Sequence, residues 1–420
     1  MLKLQTPVSM THFGGRMMLS RFAKAEDEQN INDMKTYCFY EYHQIDMENR
    51  TEEQDKKELE TDEKKKEKAE ALRWILVSED KNGKIGQHVQ IVPLTIYFDG
   101  ELCPMAGIGG VASLPEYRYG GGVIELMRMS LQVMRERGYP LSELAPFSYE
   151  FYRKCGWEWG FQWYELKIPM KELACFKANT GTFVRLSEDL SLQAMCVHNV
   201  HGSRFNGAEN MDDKKIKETM RKKNLLGYGV VGDDGQLSGY ALYYIKNRVI
   251  TCREFFYIDI QAKKQMLNFF YRHNSQADTL VLTVPESDKT LHLLGNHYLD
   301  MSANSGMMVR VVDVPKALAA MKVDPHLSGS VHIQIKDEFA PWNHGIWLVT
   351  ITNGRLIAKK EEDSQPDCIM TIQRFSQLVY GFISGKEMIE NGLVDWQQEA
   401  PQALFSKVFT KRPTAQWIPF

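Results

Sequence analysis

Between residues 73 and 137 apolar runs and tight turns alternate in an order that few folds accommodate. RWILVSED (73–80) leads to Asn82-Gly83, HVQIVPLTIYF (88–98) leads to Asp99-Gly100, and MAGIGGVASL (105–114) follows. Runs rich in β-branched residues and bounded by Asn-Gly or Asp-Gly predict antiparallel strands joined by hairpins. From Gly122 to Arg137 the period changes. Val123, Leu126, Met127, Leu131 and Met134 recur at helical spacing, and Gly138 supplies a stop. Hairpin strands, a glycine-rich bend and a helix thus follow one another. A Rossmann unit is excluded, because its strands are parallel and joined by crossovers. A P-loop is excluded because no G-x-x-x-x-G-K-[ST] occurs.

The bend reads Arg118-Tyr119-Gly120-Gly121-Gly122. Glycines permit positive φ and close backbone approach. The helix that opens there has unpaired N–H groups and the positive end of its dipole. Together they predict an anion site suited to a pyrophosphate, with Arg118 adding charge. After the helix, APFSYEFYRKCGWEWG carries Tyr152 within an aromatic stretch, where packing is the commoner role of a tyrosine.

A second pass of similar order starts near residue 180. LLGYGVVGDDGQLSGYALYYI predicts a hairpin, VITCREFFYI a third strand, QAKKQMLNFFYRH a helix and TLVLTVP a short strand. The glycine bend is missing there, so this copy reads as scaffold. From about residue 300 the runs MMVRVVDV, GSVHIQI, GIWLVTITNG and CIMTI predict strands of a third domain. Phe375, Leu378, Val379 and Phe382 mark an amphipathic helix in it. The expected division is 1–160, 161–298 and 299–420. Residues 48–70 hold ten acidic and seven basic side chains, the pattern of a solvated helix or mobile insertion. The tail TAQWIPF is apolar and aromatic, which predicts that it docks.

Composition limits the alternatives. A net charge of −3 argues against a general nucleic-acid binder. There is no run of 18 apolar residues to cross a membrane and no signal-peptide core, so a cytoplasmic protein is expected. Seven scattered cysteines without a C-x-x-C pair predict free thiols and no zinc site. His198 and His201 share a helical spacing but have no third partner, so ordinary buried histidines are expected rather than metal ligands. His12, His43 and His88 have no recognisable context.

Arg118-x-x-Gly121-x-Val123 resembles the Arg/Gln-x-x-Gly-x-Gly/Ala loop of the Gcn5-related acetyltransferases, departing from it at Val123. FYRKCGW (151–157) resembles the enhanced intracellular survival subfamily, whose members have two acetyltransferase-like domains and a sterol-carrier-protein-like C-terminal domain. The resemblance implies a mixed α+β chain with central, mostly antiparallel twisted sheets, using acetyl-CoA as co-substrate and no metal. It implies that Val111, Ala112 and Ser113 bind the acetyl and pantetheine arm through their backbone. It places Tyr119, Gly120, Gly121, Gly122, Val123 and Ile124 on the pyrophosphate loop, and Phe147 and Ser148 on the next strand beside the pantetheine. Tyr152 becomes the acid that protonates the leaving thiolate, and the α-carboxylate of Phe420 the general base. A small amine acceptor and a homotrimer or homohexamer are further implications. The chemistry is coherent. A tyrosine of pKa about 10 is still protonated at neutral pH, and a terminal carboxylate becomes a useful base only if burial raises its pKa. The competing expectation is a carrier of apolar ligands with a vestigial acetyl-CoA site. The intact glycine bend and Tyr152 weigh against it.

Overall fold

The computed structural model describes residues 9–13, 16–40, 70–222, 224–296, 299–361 and 363–417. The charged segment 48–70, apart from Glu70, and the terminal residue Phe420 lie outside them. The first unit opens with β1 (Ser9–Phe13), β2 (Arg16–Phe22) and α1 (Glu28–Cys38). It continues with β3 (Ile75–Asp80), β4 (Ile85–Phe98), β5 (Glu101–Ser113), α2 (Gly122–Glu136), β6 (Leu141–Leu144), α3 (Tyr149–Lys154) and β7 (Glu158–Trp159). The β4–β5 hairpin closes on Asp99 and Gly100, both with positive φ (51° and 74°). A two-residue turn that matches the strand twist requires this, and Asp-Gly supplies it. The apolar stripe of α2, including Leu126 and Met127, packs with Val89, Ile91 and Ile108 on one face of the sheet. Ile31 and Met34 of α1 pack with Val77 and Ala112 on the other.

The second unit runs β8 (Gln162–Pro169), β9 (Thr182–Arg185), α4 (Ser191–Gly202), α5 (Asp213–Met220), β10 (Leu226–Val231), β11 (Leu237–Lys246) and β12 (Val249–Tyr257). It ends with α6 (Ile260–Tyr271), β13 (Thr279–Pro285) and β14 (Asp300–Ser305). Its seven strands are ordered β14-β8-β13-β12-β11-β10-β9. The chain then returns. β15 (Met308–Val311) enters the first sheet, whose order is β1-β2-β3-β4-β5-β6-β15-β7. The division expected at residue 299 therefore does not follow the sheets: β14 belongs to the second, and MMVRV, expected in the third domain, completes the first. All four residues of β15 are buried, as befits a strand covered on both faces. An apolar run of that kind does not say which sheet it joins.

The third unit comprises α7 (Val314–Ala320), β16 (Gly329–Lys336), β17 (Gly345–Thr352), β18 (Arg355–Lys360), β19 (Cys368–Thr371), α8 (Ile372–Tyr380), α9 (Gly385–Glu390), β20 (Asp395–Trp396) and α10 (Gln402–Val408). Its strands are ordered β18-β17-β16-β19-β20. The expected helix is α8. It stops at Gly381 (φ 75°), so Phe382 is buried beyond its end rather than on its stripe. Arg310 of β15 and Asp337, both wholly buried, form a two-pronged ion pair (2.9 Å each) that ties this unit to the first sheet.

Candidate active site

The site begins where β5 loses its neighbours. β6 pairs with β5 in parallel from Met105↔Leu141 to Ile108↔Leu144 and then ends, while β5 runs on to Ser113. On β5's other side the β4 register breaks between His88 and Gln90. Gly110 and Val111 together face Val89 there, the two-against-one count of a β-bulge. Gly110 takes φ 56°, and a Cβ on it would come within 2.9 Å of the His88 ring. Past Ile108, then, β5 runs on without β6 beside it. Val111, Ala112 and Ser113 all lie on this stretch. Ala112 and Ser113 still pair with His88 and Gln87 of β4, and Val111 is passed over.

Beyond Ser113 the bend forms. Arg118 folds back, its Nε donating to the Ser113 carbonyl (3.3 Å). Tyr119 adopts φ 62° with its side chain wholly exposed, and Gly121 (φ 71°) is the left-handed residue from which α2 starts. Gly122 is required for another reason: a Cβ there would lie 1.8 Å from Gln87 Oε1. The first backbone bond of α2 is Glu125 N–H to the Gly121 carbonyl. Among the described residues no acceptor serves the amides from Tyr119 to Ile124. This cradle of bare N–H groups at a helix start fits a pyrophosphate.

Tyr152 lies on α3, 2% exposed, in one cluster with Ile108 and Leu144, the last paired residues of the two strands. Val111, Val123 and Ile124 pack against that cluster. Burial pushes the phenol well above its ordinary range, with Cys155 beside it adding to the effect. Phe147 and Ser148 correct the expectation. β6 stops at Leu144, so neither is on a strand. Ser148 caps α3, its Oγ accepting from Phe151 N–H (3.3 Å), and Phe147 is exposed beside the Phe151 and Tyr152 rings (5.4 and 5.2 Å). The serine immediately ahead of a charged, aromatic helix turn was the available sign of a cap.

The chain's tail comes back to this place. Asn206 N–H donates to the Pro413 carbonyl (2.9 Å), and Ala415 N–H to the Asn206 carbonyl (3.2 Å). The buried Gln416 donates through Nε2 to the Gly207 carbonyl (3.1 Å) and to Glu143 Oε2 (3.4 Å). Trp417 sits among Trp163, His198, His201, Phe205 and Phe256. The two histidines are therefore aromatic packing partners. Burial holds them neutral, with pKa values pushed down to about 4 and about 3. Among the described residues no group of metal-ligating side chains gathers. Glu143 and Gln416 were not foreseen: single residues far apart in the chain carry no motif.

The second unit repeats the strand–helix junction but closes it. No glycine bend precedes α6. Asp259 caps it instead, Oδ1 accepting from Ala262 N–H (2.8 Å) and placing negative charge where an anion would sit. Beyond the last β12–β13 pair, Cys252↔Leu282, Lys263 and Tyr257 both reach Asp288 (2.7 and 3.2 Å). These side chains lie past the end of the strand pair, at the place where β5 and β6 part in the first unit. In the third unit the face between sheet and helices is packed with Ile333, Ile335, Trp347, Phe375, Leu378 and Phe405. A cleft of about 660 Å³ lies instead between α3 and this unit, lined by Arg153, Met370, Arg374 and Leu393 among others.

Comparison with known families agrees with this architecture. Residues 20–160 and 208–311 each match an acetyltransferase (GNAT) domain, and residues 314–417 match a sterol carrier protein domain. No curated protein matches the sequence. Among solved structures, a probable N-acyltransferase from Enterococcus faecalis is similar at 22% identity (TM-score 0.79, 99% of this chain and 100% of that one). A GCN5-related N-acetyltransferase from Anabaena variabilis is similar at 19% (0.79, 96% and 100%). Eis1 from Mycobacterium abscessus is similar at 15% (0.75, 99% and 100%). No helix among the described residues is long and apolar enough to cross a membrane. The chain belongs to the Gcn5-related N-acetyltransferases: two such domains make up more than half of it, and a sterol-carrier-protein domain closes it.

Proposed function

We propose that the protein transfers acetyl from acetyl-CoA to a primary amine of a small polyamine or aminoglycoside-like molecule, or of a lysine side chain, in the cytoplasm. The amides of Tyr119–Ile124, with Arg118 at their edge, hold the pyrophosphate. Val111–Ser113 hold the pantetheine and acetyl arm along the open edge of β5, and Phe147 borders it. The free amine attacks the thioester carbon, and the tetrahedral intermediate collapses with departure of the thiolate. Tyr152 gives that thiolate its proton, and the α-carboxylate of Phe420 receives the proton lost by the amine. A phenol kept neutral by burial is always loaded as an acid at neutral pH. A homotrimer or homohexamer is the assembly we expect.

The observation that carries this reading is the anchoring of Gln416 to Glu143, one residue before β5 and β6 separate. Four residues remain to the terminus, a reach of at most about 14 Å. Trp417, docked on the second unit, supports a buried setting for that carboxylate. Two variants test the assignment by thiol release from acetyl-CoA with a panel of amines. Tyr152→Phe is expected to lower kcat about 100-fold with the acetyl-CoA KM nearly constant. One glycine appended after Phe420 displaces the carboxylate and is expected to lower kcat at least about 10-fold. Undiminished turnover in both would remove the acid and the base together.

A further inference from the structure

His88 has no exposed surface and is used by none of the steps above. It sits on β4 at the bulge. Its Nδ1 lies 2.5 Å from the Gly110 carbonyl oxygen. A carbonyl only accepts, so Nδ1 carries the proton and Nε2 is bare. Nε2 is buried and has no partner among the described residues. Burial first, and the neighbouring Lys35 second, hold the imidazole's pKa down at about 4, so this tautomer persists at neutral pH.

The geometry says what the bond controls. In a planar trans peptide the C=O of one residue and the N–H of the next point in opposite directions. The Gly110 carbonyl is turned toward the His88 ring, so the Val111 N–H of the same peptide points away from that ring. β6 has already ended at Leu144, and Gly110 and Val111 are the two residues of β5 that neither ladder pairs. Gly110 at φ 56° leaves the peptide free to rotate unless something holds it, because glycine alone imposes no preference. The ring lies directly over Gly110, within 2.9 Å of where a Cβ would be.

We propose that His88 is a positioning residue of the transfer site: its Nδ1–H holds the Gly110–Val111 peptide so that the Val111 amide faces away from the ring and donates to the thioester oxygen as negative charge develops on it. The proposal rests on the acetyltransferase reading. It concerns the orientation of a donor, whose value lies in being preset before charge develops.

His88→Leu removes the donor. His88→Asn keeps it, because the asparagine Nδ2 takes the place of Nδ1. The Leu variant is expected to lose about 10- to 100-fold in kcat with the acetyl-CoA KM within about twofold, and the Asn variant to recover to within about threefold of the parent. Equal kcat in Leu and Asn variants, whether both normal or both lost with a fallen Tm, overturns the proposal. Valine-selective ¹⁵N NMR reads the same bond without catalysis. The Val111 cross-peak should move on adding acetyl-CoA to the parent and the Asn variant, and not in the Leu variant. If the parent turns over no amine, the acetyltransferase reading fails by itself. A Val111 cross-peak that stays put in the parent, or moves alike in parent and Leu variant, defeats the role of His88.

Discussion

Gly122 shows how one residue can answer to two demands. It opens α2, whose bare amides form the proposed anion cradle, and it lets the Gln87 side chain lie flat against the backbone while Nε2 donates to the Tyr117 carbonyl (2.9 Å). Gly122→Ala forces Gln87 aside, and with it the turn at Tyr117. The expected result is a rise in acetyl-CoA KM of about 10-fold with kcat little changed, since binding in ground and transition states is lost alike. An unchanged KM in steady-state assays would mean that the loop absorbs the methyl group. Tyr152 makes a pH prediction. Its pKa is raised by burial, so the protonated form is favoured and the proposed acid stays loaded well above neutrality. No fall of kcat from this group is expected between about pH 7 and 9.5. A descending limb in that range that vanishes in Tyr152→Phe would contradict it. The glycine bend and the helix start after it were legible in the sequence, because a turn is local. His88 and Gln87 were not, because their meaning comes from contacts with Gly110 and with Gly122 and Tyr117, distant along the chain.

At the level of elements, α2 and α6 start at equivalent junctions and differ in what meets their first turn. Asp259 serves α6 as an ordinary cap, and α2 begins from glycine with no side-chain cap at all. Asp259→Ala is expected to cost about 1 kcal/mol of stability in urea unfolding while leaving the acetyl-CoA KM unaltered. A clear change of KM would show that the second copy takes part in binding. The helical periods and the hairpin turns of both copies could be read from the chain with small errors of extent. The failures were short elements. Phe147 and Ser148, expected on a strand, lie beyond one that ends at Leu144, and β15, expected in the third domain, joins the first sheet. Four-residue apolar runs carry too little periodicity to settle such questions.

For the molecule as a whole, Glu143 is the meeting point. Wholly buried on β6, it touches the tail through Gln416, and Gly207 (φ 89°) leaves just enough room, since a Cβ there would come within 2.9 Å of Oε1. Burial raises its carboxyl well above the ordinary 4.5. The folded chain therefore binds this proton more tightly than the unfolded chain. The stabilisation is complete below about pH 4.5 and is lost as pH rises toward the folded-state value. Glu143→Gln keeps the shape without the titration. The variant's Tm should gain on the parent's steadily from about pH 5 upward. Parallel Tm curves from pH 5 to 8 would show that the carboxyl is not buried in solution.

What the chain determined by itself was local: which segments are strands or helices, where the turns fall, where a bare helix start can hold an anion, and through the FYRKCGW segment which family the order resembles. These follow from backbone sterics and from periodicity over a few neighbouring residues. Three matters were decided only in three dimensions. These were the return of Met308–Val311 to the first sheet, the seating of residues 413–417 against Glu143 and the second unit, and the bond from His88 to the bulge. Each joins groups far apart along the chain or on different strands, and only the folded packing brings such groups within hydrogen-bond distance.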